Sequence, residues 1–226
     1  MNKLMLLNNK HRNMFAFQKN ERQLLKNVGI WIDGTSSWLN DGQWDISPKQ
    51  IRGGTLSIMV AYHPKWKIQV TMLEEQKKTD SSIFYTFIVK NQSNDKKDMK
   101  FLMHHQKMES ASTKVAFVSP LKQAIIHYGE PIISLLAADF FKEKESQLAV
   151  GKKEKIWCNS KGMLAVSPLC QEGLESMMVT KLTLLPLQEV YGRVWEFHGQ
   201  SEEEVLAKHE LQIGSEELEQ VTKQML

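Results

Sequence analysis

Two apolar segments separated by a polar stretch place the strongest limit on how this chain can fold. Residues 83–89 and 99–103 are rich in β-branched and aromatic side chains, and a tract of seven polar residues, Gln92 to Asp98, lies between them. Such a pattern is typical of two β-strands joined by an exposed loop. It predicts a protein built mainly from strands.

Further strand signals follow one another along most of the chain. Between residues 67 and 73, apolar Ile68, Val70 and Met72 alternate with polar neighbours, which is the period-two pattern of a strand with one buried face. Turn-forming residues separate the segments at intervals of roughly 8–12 residues, a spacing typical of an antiparallel sandwich or barrel. The predicted strands are 55–61, 67–73, 82–90, 99–105, 113–119, 123–128, 147–150, 154–158, 163–167, 177–184 and 189–197.

Helices are predicted at both ends of the chain and at one internal position. Apolar residues spaced as on one helix face predict a helix over 14–28 and an inserted helix within 131–145. Ser201 followed by Glu204 forms a capping box, which marks a helix start. After it, residues 209–213 alternate as a short final strand would, and a separate amphipathic helix is predicted over 215–226.

These elements predict three parts of the chain. They are an N-terminal helix with a tryptophan-rich connector over 1–54, a β-sandwich over 55–198, and an acidic helical tail over 199–226. Residues 86–91 and 148–154 resemble stretches that are common in bacterial immunoglobulin-like modules. The resemblance implies a mainly β fold, an antiparallel immunoglobulin-like β-sandwich. The predicted core residues are Ile68, Val70, Phe87, Val89, Phe101, Val115, Phe117, Val194 and Phe197.

Composition limits the location of the protein and the class of its partners. Charges of both signs are interspersed and the net charge is only +3, so nucleic acid is not an expected partner. Two cysteines are too few for a disulfide framework. No apolar run reaches the roughly 18 residues that a membrane span needs. We expect a cytoplasmic protein without a transmembrane segment, with reduced and buried thiols at Cys158 and Cys170.

The sequence lacks the motifs of common catalytic and cofactor sites. No glycine-rich phosphate loop, no His-Glu-x-x-His pattern and no Gly-x-Ser-x-Gly pattern occurs. The doublet His104-His105 lies on a predicted strand, where neighbouring side chains point to opposite faces and cannot ligate one metal ion. Cys158 would form a catalytic pair with His127 or His198 only if the fold brought them together. We therefore predict no metal, no cofactor and no enzymatic activity.

Three tryptophans of the connector, Trp31, Trp38 and Trp44, form one candidate binding surface. Exposed indole rings can stack on sugar rings or anchor a protein partner. The same rings could instead pack the N-terminal helix onto the sheet, the more common role of large aromatic residues in such a segment. The sequence favours this packing role but leaves both binding roles open.

The second candidate surface is the apolar stripe of the terminal helix, formed by Leu218, Val221 and Met225. Such a stripe can lie in the groove of a partner. With no catalytic motif present, we expect a non-enzymatic protein-binding role, as an assembly, adaptor or regulatory component, with a homo-oligomer also open. The alternative is a carbohydrate- or cell-envelope-binding module that uses the tryptophan connector. A third interpretation is a hydrolase whose site forms only in three dimensions.

Overall fold

The computed structural model describes residues 28–47, 50–52, 56–77, 82–106, 112–140, 146–171 and 175–224. The predicted helix over 14–28 lies outside these residues except for Val28, which begins a strand. The strands are β1 Val28–Ile32, β2 Thr35–Trp38, β3 Asp45–Ile46, β4 Gln50–Arg52, β5 Leu56–His63, β6 Ile68–Lys77, β7 Ser82–Asn91, β8 Lys97–Gln106, β9 Ser112–Ser119, β10 Ala124–Glu130, β11 Ile133–Asp139, β12 Ser146–Val150, β13 Trp157–Cys158, β14 Met163–Leu164, β15 Leu169–Gln171, β16 Glu175–Leu184 and β17 Glu189–Gly199. The helices are α1 Lys153–Ile156 and α2 Glu202–Gln224.

Two antiparallel sheets pack face to face. The smaller sheet has the strand order β12-β16-β8-β1-β2, and the larger has the order β15-β9-β10-β11-β17-β7-β6-β5-β3, with β4 also paired to β5. The rings of Phe87 in the larger sheet and Phe101 in the smaller sheet have centroids 4.9 Å apart. The prediction of an antiparallel β-sandwich is confirmed. Its immunoglobulin-like form is not, because one sheet alone has ten strands, more than the roughly seven to nine of a whole immunoglobulin domain.

The main hydrophobic core lies between the two sheets. Of the nine predicted core residues, all but Val115 and Phe117 are buried, and those two are half-buried. A second apolar cluster lies on the outer face of the larger sheet, where Trp195 and Phe197 pack with Val205 of α2. A third lies on the outer face of the smaller sheet, beneath α1 and the β13–β14 hairpin. Both sheets are therefore covered on two sides over part of their area.

The two strands that carry the strongest sequence signal, β7 and β8, do not pair with each other. β7 pairs with β6 and β17 in the larger sheet, whereas β8 pairs with β1 and β16 in the smaller one. The polar stretch between them crosses from one sheet to the other. The Asn91 Nδ2 group holds this crossing by donating to the carbonyl oxygens of Asp95 at 2.7 Å and Leu185 at 3.0 Å.

The tryptophan-rich connector is part of the sandwich. β1 and β2 extend the smaller sheet beyond β8, and β3 and β4 both pair with β5 of the larger sheet. Both sheets therefore include strands that precede residue 55, where the sequence pattern placed the start of the sandwich. The short strands contain polar and glycine residues among the tryptophans, and for this reason the sequence pattern indicated a loop.

The helix predicted within 131–145 is wrong for the residues described there, because β11 occupies Ile133–Asp139. β11 lies between β10 and β17 in the larger sheet. Leu135 faces the outer cluster beneath α2 and Leu136 faces the core between the sheets, so both are buried. A strand that is covered on both faces has consecutive apolar residues instead of an alternating pattern. That run resembles one face of a helix.

The C-terminal segment forms one helix, so the strand predicted over 209–213 is wrong. α2 continues from Glu202 through Gly214 to Gln224. The Ser201 Oγ accepts the backbone N–H of Glu204 at 3.2 Å, the bond that the predicted capping box requires. Leu218 and Val221 lie in the last turns, where side chains are not described, and Met225 lies outside the described residues. None of the helices described is both long and apolar enough to span a membrane.

Candidate functional site

The inner face of the larger sheet changes from apolar to polar at one end. On β17, Val190 and Val194 face the core, and the next two inward positions are Glu196 and His198. The same change occurs on β11, where Ser134 follows Leu136 on the inner face, and on β10, where His127 follows Ile125. The pairing registers place polar side chains of three adjacent strands in one row, His127 beside Ser134 and Ser134 beside His198.

The smaller sheet completes this polar end with two facing residues. His105 follows Phe101 and Met103 on the inner face of β8, and Ser176 is its register partner on β16. Residues from both sheets thus form one group, which we call the histidine–glutamate cluster. Its members are His105, His127, Ser134, Ser176, Glu196 and His198.

Glu196 lies at the centre of the hydrogen bonds of this cluster. Its Oε1 is 3.1 Å from the His105 Nε2, a bond that joins the two sheets, and 3.5 Å from the His198 Nε2. The Nδ1 of His198 is 2.9 Å from the Ser134 Oγ. The His127 Nε2 is 2.9 Å from the Ser176 Oγ, a second bond between the sheets. The cluster is therefore held from both layers of the sandwich.

Solvent exposure differs among the members of the cluster, from fully buried side chains to a partly exposed rim. His127, Ser134 and Ser176 are buried. Side-chain exposure rises to 12% for His105, 13% for Glu196 and 26% for His198. A ligand that entered from the rim would meet His198 and Glu196 first.

The electrostatics of the cluster keep Glu196 ionised. Burial acts to raise the pKa of Glu196, but His105, through its charge and its hydrogen bond, and then His198 and His127 outweigh it and lower that pKa to about 2. Burial, followed by the charges of Glu196 and Glu74, raises the pKa of Tyr85 well above its usual value. At neutral pH the cluster therefore holds a carboxylate anion at Glu196.

One polar atom of the cluster is unmatched. The Nδ1 of His105 is buried and has no hydrogen-bond partner among the residues that the structure describes. A buried polar atom without a partner costs free energy, roughly 1–3 kcal/mol for a neutral group. It is therefore an unsatisfied hydrogen-bonding group within the cluster. No set of three or more His, Cys, Asp or Glu side chains in the described ranges has the arrangement of a metal centre.

His104, the other histidine of the doublet, faces the outer side of the smaller sheet, as predicted. The His104 Nε2 is 3.0 Å from the Glu175 Oε2, which also accepts the backbone N–H of Lys153 at 3.0 Å. The Nζ of Lys153 lies 3.5 Å from the ring centroid of Trp38. Burial lowers the pKa of His104, although Glu175 acts in the opposite direction. These contacts attach α1 to the sheet.

The structure separates Trp44 from the other two candidate tryptophans, Trp31 and Trp38. Trp44 is buried and its Nε1 donates to the Ser37 Oγ at 2.8 Å. Trp31 and Trp38 are half-buried against the apolar cluster on the outer face of the smaller sheet. A Cβ atom at Gly162 would lie 2.5 Å from the Trp31 ring, so this glycine is needed for the close contact.

The structure does not bring Cys158 to His127 or His198. Cys158 lies on β13, over the outer face of the smaller sheet, whereas both histidines line the inner space between the sheets. The sequence suggested these two histidines as partners for this thiol and gave no role to Glu196. The available signal was the position of Glu196 and His198, which continue the inward-facing apolar positions of β17 at period two.

The prediction that Cys158 is buried is wrong, since its side chain is exposed. A hydrogen bond from Ser160 and another from the backbone of Lys161 lower the pKa of its thiol. Because the thiolate is the reactive form, we expect iodoacetamide to modify Cys158 faster than the half-buried Cys170 in the folded protein. Mass spectrometry after timed alkylation measures both rates. Equal rates at the two thiols would contradict this assignment.

Comparisons with known proteins identify the fold and not a family. No family model matches the chain, and no curated protein matches it. A bacterial glucoamylase complexed with acarbose matches with a TM-score of 0.61 and 11% identity, over 83% of this chain and 28% of that chain. An α-galactosidase from Geobacillus stearothermophilus matches with a TM-score of 0.34 and 10% identity, over 77% of this chain and 30% of its own. A protein from Escherichia coli assigned as an aldose 1-epimerase matches with a TM-score of 0.40 and 8% identity, over 71% of this chain and 69% of that chain.

The glucoamylase match shows that the chain shares a β-sandwich fold with part of that enzyme. The chain spans 28% of the glucoamylase. The other two matches have TM-scores below 0.5 and carry no argument.

Proposed function

We propose that this domain binds a neutral carbohydrate at the rim of the histidine–glutamate cluster. The observation that carries the proposal is the partly exposed Glu196 carboxylate, hydrogen-bonded to His105 at the end of an otherwise apolar interlayer space. The fold shared with part of a glucoamylase that was solved with acarbose supports this class of ligand. A fold hosts many functions, so the argument depends on the residues of the site.

The chemistry of the cluster suits sugar hydroxyl groups. An ionised carboxylate accepts short, strong hydrogen bonds from hydroxyl donors, and partial burial strengthens them. The Glu196 carboxylate, whose side chain is 13% exposed, is therefore the group of the cluster that is complementary to a sugar hydroxyl.

The state of Glu196 favours binding over proton transfer. A general acid or base works best when its pKa lies near the working pH. The neighbouring histidines lower the pKa of Glu196 to about 2, so at neutral pH it is ionised and only weakly basic. The carboxylate is therefore better suited to accept hydrogen bonds than to donate or abstract a proton. The protein-binding role that the sequence favoured has no comparable support from the solved structures.

The test is a calorimetric titration with a series of maltooligosaccharides and with acarbose. Glu196→Gln keeps the shape of the side chain but removes the charge, and we expect affinity to fall by roughly tenfold to a hundredfold, the value of a hydrogen bond to a charged group. Glu189→Gln is the matched control, because Glu189 lies on the same strand and contacts Lys90 and Tyr191 at the surface. The control should bind like the unaltered protein, and no new reducing ends should form.

Other outcomes would contradict the proposal. If a carbohydrate binds but Glu196→Gln leaves the affinity unchanged, the cluster is not the site. In that case Trp31→Ala tests the alternative site at the tryptophans. If the protein binds none of the maltooligosaccharides, acarbose or the glycans of a broad array, the carbohydrate role is wrong.

A further inference from the structure

α2 packs on the outer face of β17 directly behind the histidine–glutamate cluster. Side chains alternate along the strand, so Trp195 and Phe197 face α2 while Glu196 and His198 face the cluster. Val205 of α2 is buried against both aromatic residues. Any displacement of α2 therefore changes the support of the backbone that carries Glu196.

His209 of α2 is bonded at both ring nitrogens, and its partners determine its protonation state. The Trp195 Nε1, which can only donate, is 3.0 Å from the His209 Nδ1. The His209 Nε2 is 2.8 Å from the carbonyl oxygen of Lys122, which can only accept. The ring must therefore be neutral, with its proton on Nε2. A second proton on Nδ1 would oppose the indole N–H and break that bond.

Lys208 adds a second attachment on the other side of Glu196. Its Nζ donates to the backbone carbonyl of His198 at 2.9 Å and to the Glu204 Oε1 at 2.8 Å. Through His209 and Lys208, α2 thus holds β17 at Trp195 and at His198. These positions flank Glu196 on its strand.

We infer that His209 is a pH-responsive positioning residue, and that its protonation loosens α2 from β17 and weakens ligand binding at Glu196. The binding part of this inference depends on the proposed carbohydrate function. The attachment of α2 to Trp195 does not depend on it.

The charges around His209 belong to several elements. Lys122, in the β9–β10 turn, forms an ion pair with Glu210 of α2 at 2.5 Å, and Glu202 near the start of α2 accepts from Tyr128 of β10. On the same outer face, Arg193 of β17 is the register partner of Asp139 of β11. Together with the Lys208–Glu204 pair, these groups place charges of both signs near the contact between His209 and Trp195.

Burial lowers the pKa of His209 below its usual value of 6.5, although its bond to the Lys122 carbonyl acts in the opposite direction. The unfolded chain therefore takes up the proton at a higher pH than the folded one. The stabilisation that this neutral histidine provides is complete above about pH 6.5 and decreases as the pH falls towards the lowered folded value.

The primary test uses the unaltered protein. The exchange protection of the Trp195 indole proton, assigned in nitrogen-15 NMR spectra by comparison with Trp195→Phe, is measured between pH 8 and pH 4.5. We expect protection to be high at neutral pH and to fall in one step below about pH 6.5. Protection that stays constant over this range would overturn the inference without any ligand.

Two variants separate positioning from simple packing. In His209→Gln the side-chain oxygen can accept from Trp195 and the amide can donate to Lys122, so protection should remain and the acid step should disappear. In His209→Leu the acceptor is absent, and protection should be lost at every pH. With an oligosaccharide identified by the titrations above, His209→Leu should weaken binding by about tenfold at pH 7, while His209→Gln should not.

The outcomes distinguish this inference from the proposed function. If the indole step is present but no carbohydrate binds, the attachment is real and the proposed ligand is wrong. If an oligosaccharide binds through Glu196 with the same affinity in His209→Leu, the positioning role is refuted and the proposed function remains. If His209→Leu fails to fold, the pH titrations of the unaltered protein and His209→Gln still decide the question.

Discussion

Val70→Asp is expected to lower the free energy of unfolding by about 4 kcal/mol, because it places an unpaired charge in the centre of the core. Val70 is fully buried on β6 and belongs to the cluster between the two sheets. The register pairs it with Ala61 and Val89, both fully or almost fully buried, so no polar partner lies beside it on the sheet. Domains of this size are stable by only about 5–15 kcal/mol.

Chemical denaturation followed by tryptophan fluorescence measures the loss. Thr71→Asp is the matched control, because Thr71 is adjacent on β6 but faces outward and is only half-buried. The control should change stability by well under half as much. If both variants were equally stable, the inward direction of Val70 would be wrong, and with it the packing of the larger sheet.

Gly192→Val is the second variant with a large expected effect. A Cβ atom at Gly192 would lie 2.3 Å from the Phe140 ring, so the ring lies directly on the glycine backbone. Phe140 is buried and its ring centroid is 5.0 Å from that of Phe101. The ring therefore has little space to move, and we expect a loss of about 3 kcal/mol from overpacking.

The direction of the stability change in Gly192→Val distinguishes overpacking from β-propensity. β-Propensity alone predicts that valine stabilises a strand relative to glycine. Gly214→Ala provides the contrasting control, since a Cβ atom there meets nothing within 4 Å and the residue lies in α2. That change should stabilise by about 1 kcal/mol. In the Phe140→Leu background, the cost of Gly192→Val should shrink by about 1 kcal/mol or more, and an unchanged cost would show that the ring is not the cause.

The contact between Gly192 and Phe140 lies on the same strand as Glu196 of the histidine–glutamate cluster. Gly192 lies four residues before Glu196 on β17. Its register partner on β7 is buried Phe87, and the next residue, Arg193, pairs with Asp139 at the end of β11. Glycine allows the Phe140 ring to fill the space between the layers where the core is apolar. Beyond Val194 the inward positions become polar, and there the sandwich carries the cluster in place of packed rings.

Most strand positions could be predicted from the sequence. Alternation over 67–73 and the apolar segments at 82–90 and 99–105 correspond to β6, β7 and β8. The prediction was wrong where both faces of an element are covered, as at Leu135 and Leu136 of β11, and in the first part of the predicted strand 154–158, which belongs to helix α1. It was also wrong at residues 209–213, where the alternating apolar residues Leu211 and Ile213 are exposed on α2 and His209 is the buried one.

The residues that form the candidate site, unlike the strands, could not be predicted from the sequence. Trp31, Trp38 and Trp44 were conspicuous in the sequence because large aromatic residues are rare. The structure buries Trp44 in the main core, and Trp31 and Trp38 pack against the cluster on the outer face of the smaller sheet. Glu196 was inconspicuous because a single glutamate between apolar residues has no motif. Its significance depends on two imidazoles that approach it in space.

The sequence by itself determined the strands with clear alternation or long apolar runs, such as β6, β7 and β8, and which of their side chains face inward, because alternation is a local property that a few neighbouring residues encode. Only the tertiary structure decided which strands pair and which inward polar residues meet. His105 and Glu196 are 91 residues apart along the chain, and His127 and Ser176 are 49 apart. β7 and β8, only a short loop apart, lie in different sheets. Pairing depends on how whole faces bury one another, a property that no local pattern contains.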